Sequence, residues 1–498
     1  MSGYVQSTDR GQTSLLPPTV DEWISEANPV RVLDAFVRSL DFVALGFTRA
    51  IPNTRGRPAY DPRHLLALYL YGYLHRTRSS RRLERETRRN IEVMWLLEQV
   101  TPDHHTIADF RSQHPDALRQ VFREFTVICR RLDLFGRELI GIDGTKIRAV
   151  NAKDRSFTPE RLRELLDRID GRIAEYLALL DTADGAEGAV PDRAAAASDS
   201  REALQAKLAA LQDRQTEYRA LAATLEETGA TQVTLTDPES RRMKVKQGTE
   251  VCYNAQIAVD AEHHLLVAVD VTNEATDFQQ LEPMARAAQA ALAVKELSVL
   301  ADAGYFNASG IAATVAAGMT PTMPAINSSM NTKAGRFTKE DFEYLPDQDA
   351  YRCPAKQILP LGSTGKNGAR YYYNAGVCRD CPLRKDCTAQ QNPQNGRMIK
   401  RGRHDDVLET MAARLSEAPE LMLTRKALVE HPYGTIKRWD DGSYFLLRGL
   451  AKVRGEFSLM GLSYNLRRVI TILGVAPLVA ALRAGPGAGG PAVPLPVA

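Results

Sequence analysis

Cysteine is scarce, with six residues in a chain of 498. That excludes the disulfide framework of small secreted domains, and a chain of this length buries enough apolar surface to fold without staples. Charge imbalance is missing too. Lys and Arg number 64 against 61 Asp and Glu, a net of +3, which argues against coating nucleic acid by bulk charge; such contacts have to come from local basic patches. The longest apolar stretch, Val469 to Leu482, is too short to span a bilayer and is interrupted by Gly474 and Pro477. The opening residues, MSGYVQSTDRGQ, hold no apolar signal-peptide segment. No P-loop, GxGxxG or GxSxG stands where a strand-to-helix turn would support it, so those motif-borne chemistries have no starting point. The expectation is a bacterial-type cytoplasmic protein of about three structural units, with no membrane partner.

Polar residues 1–20, with Pro17 and Pro18, read as a loose tail. Residues 21–135 read as short helices, one opened by Asp61 and Pro62 ahead of Leu65, Leu66, Leu68 and Leu70. From His75 to Asn90 seven Arg face only Glu84 and Glu86. Arg81, Arg82 and Arg85 are the candidates for holding DNA phosphate; a merely solvated helix face is the alternative. A helix restarts near His104, with Thr106 or a neighbour as its cap. The run Leu139 to Ile142 reads as a short strand ending at Asp143 and Gly144. The 4-3 spacing of Leu204, Leu208, Leu211, Gln215, Tyr218, Ala222 and Leu225, and a similar series from Leu162 to Leu180, predicts an inserted antiparallel helical hairpin or coiled coil. CYNAQIAVD and HLLVAVDVTNE read as a β-hairpin, followed by a helix and the strand LSVLADAGYF. Residues 327–404 are polar and carry four cysteines, whereas 405–482 are helical with a strand-like YFLL at 444–447. The alternation predicts a mixed α/β sheet.

Asp143 and Asp302 each close an apolar strand and have Gly close behind. Such a carboxylate is costly to desolvate unless paired or bound to a cation, and strand ends are where sites in open α/β sheets assemble. Two of them on neighbouring strands make an oxygen-rich pocket for Mg²⁺; each singly also reads as a turn or helix cap. Glu430 is the third-acid candidate, seven positions before Lys437, with Pro432 between them. Glu456 is its rival, otherwise a surface charge or ion-pair partner. Tyr253, Asn254, Gln256 and Tyr305 lie beside the expected site, while Asp260, Asp270 and Asp277 read as hairpin or cap residues. Cys353, Cys378, Cys381 and Cys387 contain one CxxC and fit either a structural Zn²⁺ or four reduced thiols. Arg401, in the basic stretch after them, is a further phosphate candidate.

The succession LIGIDGTKI, CYNAQIAVD, LADAGYFN, VEHPYGTIKRW and LRGLAKVRGEFSLMGLSYNLRRV resembles the DDE transposases of bacterial insertion sequences, in the class with a Y-R-E-K-type signature around the glutamate. The resemblance implies an α/β fold, a ribonuclease H-like mixed sheet with a helical N-terminal domain and a helical-hairpin insertion. It assigns 21–135 to DNA binding and 136–482 to catalysis, with insertions at 152–245 (helical hairpin) and 327–404 (cysteine-containing) and a second tail at 483–498. It maps the catalytic, Mg²⁺-holding triad onto Asp143, Asp302 and Glu430, with Mn²⁺ as a substitute, and the signature Lys onto Lys437. The signature Arg position holds Lys426, with Arg425 one residue before it, and the Tyr position holds Leu423; Arg425 is taken with Lys437 as a DNA contact. The implied activity is cleavage at transposon ends and strand transfer into target DNA. The implied partners are double-stranded DNA, as terminal inverted repeats and target, and a second copy of the chain on DNA, at the bacterial nucleoid. A nuclease that only hydrolyses, or a DNA-binding protein with a decayed core, are the alternatives.

Overall fold

The computed structural model describes residues 19–52, 58–151, 155–185, 191–326, 334–366, 368–389, 392 and 396–484. The expected tails, apart from 19–20 and 483–484, lie outside the described residues.

The N-terminal region is helical: α1 (Val30–Arg38), α2 (Pro62–Leu74), α3 (Ser80–Arg89), α4 (Ile91–Leu96), α5 (His104–Gln113) and α6 (Pro115–Arg131). Asp61 caps α2, accepting from Arg63 N at 2.8 Å, and Pro62 fills the first turn where no N–H is needed. Leu66, Leu68 and Leu70 are fully buried, so truncating any one to Ala costs about 2–5 kcal/mol. In α3 only Leu83 and Thr87 are buried, and Arg81, Arg82 and Arg85 are exposed. The cap of α5 is Asp103, whose carboxylate accepts from His105 N and Thr106 N; Thr106 stands inside the helix.

The central sheet is built from β1 (Leu139–Arg148), β4 (Arg241–Val245), β5 (Gly248–Asp260), β6 (Leu266–Thr272), β7 (Leu297–Leu300) and β8 (Met319–Thr322). β1 is central, antiparallel to β5 and parallel to β7, which is in turn parallel to β8; β4 and β6 pair along the other edge of β5. β1 does not end at Ile142 as its apolar run suggested. It continues to Arg148 because β5 supplies partners as far as Cys252. β2 (Ser156–Phe157) and β3 (Val233–Thr234) pair at the root of a helical hairpin, α7 (Pro159–Gly185) and α8 (Pro191–Thr228). Phe157, Leu162 and Leu225 form the small core at that root.

After α9 (Leu281–Leu292) and α10 (Ala308–Ala316), residues 343–401 form a second antiparallel sheet, a feature their polar composition hid. Its strands are β9 (Glu343–Leu345), β10 (Ala350–Arg352), β11 (Ile358–Thr364), β12 (Arg370–Tyr373) and β13 (Met398–Arg401), with short helices α11 (Ala375–Arg379) and α12 (Arg384–Cys387) between the last two. Phe342, Tyr351, Leu359, Tyr372 and Ile399 are its core.

The chain ends with α13 (Asp405–Glu417), α14 (Leu421–Gly434), α15 (Leu450–Leu473) and α16 (Val475–Arg483). The expected strand at 444–447 is absent; only an isolated bridge joins Tyr444 to Arg148. α15 is the central post. Its residues 455–466 are all buried, and Gly455 and Gly461 let it approach Pro115 and the Phe122/Val269/Leu266 surface where a Cβ would crowd. Asn465 bonds both the N–H and the C=O of Leu266, each at 2.8 Å, satisfying the sheet edge that α15 covers. One continuous apolar cluster therefore runs from the N-terminal helices through the sheet to α15. Among the described residues no single helix is long and apolar enough to cross a membrane.

Candidate active site

Strand register brings Asp143 and Asp302 together. Gly141 and Leu300 are the last paired residues of β1 and β7. Asp143 and Asp302 each follow two residues later, so with a period of two both side chains leave the same face of the sheet. Beyond that pair β7 stops while β1 continues beside β5, leaving an opening at the sheet's edge. Asp143 is therefore a mid-strand residue, whereas Asp302 caps a short turn, Ala303–Tyr305, accepting from Gly304 N at 2.8 Å. Asp143 is held in like manner, accepting from Gly144 N at 2.9 Å.

Helix α14 covers that face. Leu428 and Val429 pack at Gly141, the one position on β1 where the helix needs a missing Cβ. Tyr433 donates to the carbonyls of Asp143 and Ala255, both at 2.8 Å. Arg425 reaches back along the helix, its guanidinium 2.6 Å from Asp143 Oδ1 and 3.4 Å from Asp302 Oδ2. Burial pushes the Asp143 carboxyl up to about 6, against the pull of Arg425, with Asp302 and Asp277 adding to the rise. Arg425 is thus a carboxylate partner, not the free phosphate contact expected of it.

Glu430 is not part of this pair. It is on the exposed side of α14, 66% accessible, and forms an ion pair with Lys426 at 3.8 Å. Pro432 does not end the helix, which runs to Gly434 and passes into a π-turn at Thr435–Trp439. Lys437, in that turn, donates to Thr145 Oγ1 and to the carbonyl of Lys146 on β1, and burial pulls its pKa down. The rival Glu456 is not a surface charge but an ion-pair partner. It is fully buried, accepts from Leu446 N and Leu447 N, and lies 3.7 Å from Arg78. Arg78 in turn donates to the carbonyls of Tyr444 and Asp441.

Asp277 is the residue that sequence reasoning misplaced. Its carboxylate accepts from Asn254 and Gln256, both at 2.7 Å, and lies 3.6 Å from Lys146 Nζ. Tyr305 donates to Gln256 Oε1, so the side residues expected in CYNAQ and ADAGYF join one network. The only sequence signal was the polar Asn254 and Gln256 inside an otherwise apolar strand. Tyr253 faces elsewhere, donating to Asp237 at 2.8 Å.

Arg401 is a further correction, and the cysteines are placed together. Arg401 is 4% exposed, and its guanidinium is occupied by Glu409 and Tyr351, so it is closed to a phosphate. The four cysteines share the second sheet's region, but no three of them have metal-holding geometry. Cys353, Cys378 and Cys387 pack against its apolar core, and burial pushes the Cys387 thiol up to about 11.

Among the described residues no group of three His, Cys, Asp or Glu is arranged to hold a metal ion. Two carboxylates already sharing one cationic group nevertheless suit a hard divalent ion. Mg²⁺ is commonly held by one or two carboxylates, with water and substrate phosphate completing its sphere. Asp143 and Asp302 fit that description, and Arg425 occupies the same electrostatic role.

Comparison with known proteins adds the family. A family described as "Transposase domain (DUF772)" matches residues 18–113, which span α1 to α5. Another, "Transposase DDE domain", matches residues 352–470, which include Arg425, Glu430, Lys437 and most of α15. No curated protein matches, and no solved structure does. Two transposase families on one polypeptide, flanking a sheet that pairs two aspartates beneath the matched helix, support an insertion-sequence DDE transposase.

Proposed function

We propose that the chain cuts phosphodiester bonds at transposon ends and joins the freed 3′-OH to target DNA, in a reaction dependent on Mg²⁺, with Mn²⁺ as a substitute. The observation that carries this reading is the placement of Asp143 and Asp302 on one sheet face, within reach of one positive group. The sheet order, with β1 between an antiparallel hairpin and two parallel strands, supports a ribonuclease H-like core. When bound, divalent ions would activate the attacking oxygen and stabilise the leaving one.

The chain's own residues do the rest. Asp143 and Asp302 would hold the ion, and the Gly144 and Gly304 amides orient their carboxylates. Arg425 neutralises the two acids before DNA arrives. Glu430, on the rim of the same helix, is the third acid of this reading. Lys437, anchored on β1, is in this reading the residue that steadies a phosphate beside the cut. In the first step water displaces the 3′-oxygen at the transposon end; in the second that 3′-OH displaces an oxygen in target DNA. Both are in-line displacements with an alcohol leaving, and neither needs a covalent enzyme intermediate. Exposed Arg81, Arg82 and Arg85 on α3 bind the terminal repeats, and two copies act across paired ends at the bacterial nucleoid.

The test is a strand-transfer assay with oligonucleotide ends, in Mg²⁺ and in Mn²⁺. Asp143→Ala, Asp302→Ala and Glu430→Ala are expected to abolish cleavage and leave end binding intact. Hydrolysis without joining points to a nuclease, and end binding without cleavage in either metal points to a decayed core. Full activity in Glu430→Ala removes Glu430 from the site.

A further inference from the structure

The two site aspartates share a device. Each places Oδ1 on the amide of a following glycine, Asp143 on Gly144 N at 2.9 Å and Asp302 on Gly304 N at 2.8 Å. Asp277 lies beside both glycines, close against Gly144 and at van der Waals range of Gly304, where a Cβ would first meet Asp302 Oδ1 at 2.9 Å. A Cβ on Gly144 would overlap the Asp277 carboxylate and the Gln256 amide, and a Cβ on Gly304 would stand 3.8 Å from Asp277 Oδ2. Gly144 lies opposite Gln256 in the β1–β5 register, and Lys146 opposite Asn254. Asp277 bonds Gln256 and Asn254, so it sits against the face of β1 opposite the one from which Asp143 projects.

Asp277 is itself firmly held. Two side-chain amides donate to Oδ1 at 2.7 Å, and Tyr305, from the Asp302 turn, donates to the far end of Gln256. Lys146 Nζ is buried, has no hydrogen-bond partner, and lies 3.6 Å from the same oxygen. Asp277 thus links the strand that carries Asp143 to the turn that carries Asp302.

We propose that Asp277 is a positioning residue for the metal-holding pair: it backs both glycine peptides, fixes the orientation of Asp143 and Asp302, and so sets the affinity for a divalent ion. This rests on the reading that Asp143 and Asp302 hold the metal. Groups that orient metal ligands change metal affinity by about 10–100-fold when removed.

The test is Mn²⁺ binding to the full chain without DNA, followed by electron paramagnetic resonance, alongside the Mg²⁺ dependence of end cleavage. Asp277→Ala is expected to weaken Mn²⁺ binding by about 10-fold or more, and to raise the Mg²⁺ needed for half-maximal cleavage in step. Asp277→Asn keeps the shape and an oxygen for the amides, and should recover most of the affinity. Wild-type Mn²⁺ affinity in Asp277→Ala overturns the proposal. If Asp277→Ala does not fold, Gly144→Ala decides: its new Cβ displaces the Asp277 carboxylate, and unchanged Mn²⁺ affinity there is equally fatal. Asp143→Ala separates the two layers. If it binds Mn²⁺ like the wild type, the two-aspartate site itself is wrong; if it loses Mn²⁺ while Asp277→Ala does not, only the positioning role fails.

Discussion

Arg425 meets Asp143 across 282 positions of chain, guanidinium to Oδ1 at 2.6 Å. Both side chains are largely buried, at 14% and 21% exposure. Removing the cation takes from the two carboxylates the guanidinium they share. Arg425→Met, which keeps the apolar stem, is expected to destabilise the metal-free protein by about 3 kcal/mol. A divalent ion binding the native state should restore part of that through linkage. Thermal unfolding with and without Mg²⁺ is the measurement, and the Mg²⁺-induced rise should be larger in the variant than in the wild type. Equal rises would mean that Arg425 and the ion do not occupy the same electrostatic position.

Glu456 makes a contrasting case, because its role is structural. It satisfies two backbone N–H groups after the bridge at Tyr444 and stands against Arg78, so it ties the helical N-terminus to the segment leading into α15. Glu456→Ala orphans those donors and leaves Arg78 uncompensated, a loss of about 3–5 kcal/mol. Glu456→Gln keeps one acceptor oxygen and should lose less. The expected pattern is a lowered midpoint in denaturant for both, with end cleavage by folded Glu456→Gln close to wild type. A fully stable Glu456→Gln protein that cannot cleave would return Glu456 to the chemistry.

Asp349 predicts an acid response in the second sheet. It accepts from Tyr372 at 2.6 Å, Tyr344 at 2.8 Å and Arg370 at 3.0 Å. The Tyr372 and Tyr344 hydroxyls hold its carboxyl below the ordinary 3.8. A depressed folded pKa gives stability that is complete above the unfolded value and is lost as pH falls through the folded one. Amide exchange over residues 343–401 should therefore be slower in the wild type than in Asp349→Asn at neutral pH. The gap between them should narrow as pH falls below 3.8; a gap independent of pH contradicts the assignment.

The sequence was most legible where pattern and environment agree. The 4-3 spacing around Leu208 and Tyr218 became α8, and Asp61 with Pro62 opened α2. The pairing of Asp143 with Asp302 followed from two apolar strands, since parallel neighbours present equivalent positions on one face. Failures came where a distant partner decided the outcome. β1 outran its apolar run because β5 lay beside it, and 343–401 formed a sheet because Asp349 and its tyrosines organise polar strands no alternation rule detects. Arg401 reads as a basic surface residue until Glu409 closes over it. Asp277 reads as a cap because nothing local reveals Asn254 and Gln256. For Glu430 spacing names the helix but not which of its faces turns to the sheet, so its proposed role as third acid rests on the cleavage assay.

The Arg-rich helix α3 supplies the test of DNA docking. Leu83 and Thr87 bind it to the core, and Arg81, Arg82 and Arg85 point to solvent. Arg78, only a few residues before, is buried and spent on backbone carbonyls, whereas exposed Arg76 lies over the Trp439 ring at 3.9 Å. Position relative to the core therefore sorts this basic run into structural and available charges. Replacing Arg81, Arg82 and Arg85 by Ala should leave the fold intact, because surface changes of this kind shift stability by about 0.5 kcal/mol or less. If each neutralises one phosphate, the slope of log affinity against log salt should flatten by about 2.7. Fluorescence anisotropy with a labelled end duplex, titrated from low to high salt, gives the slope directly. An unchanged slope means that these arginines face water in the complex as well, and that the terminal repeat is held by another surface.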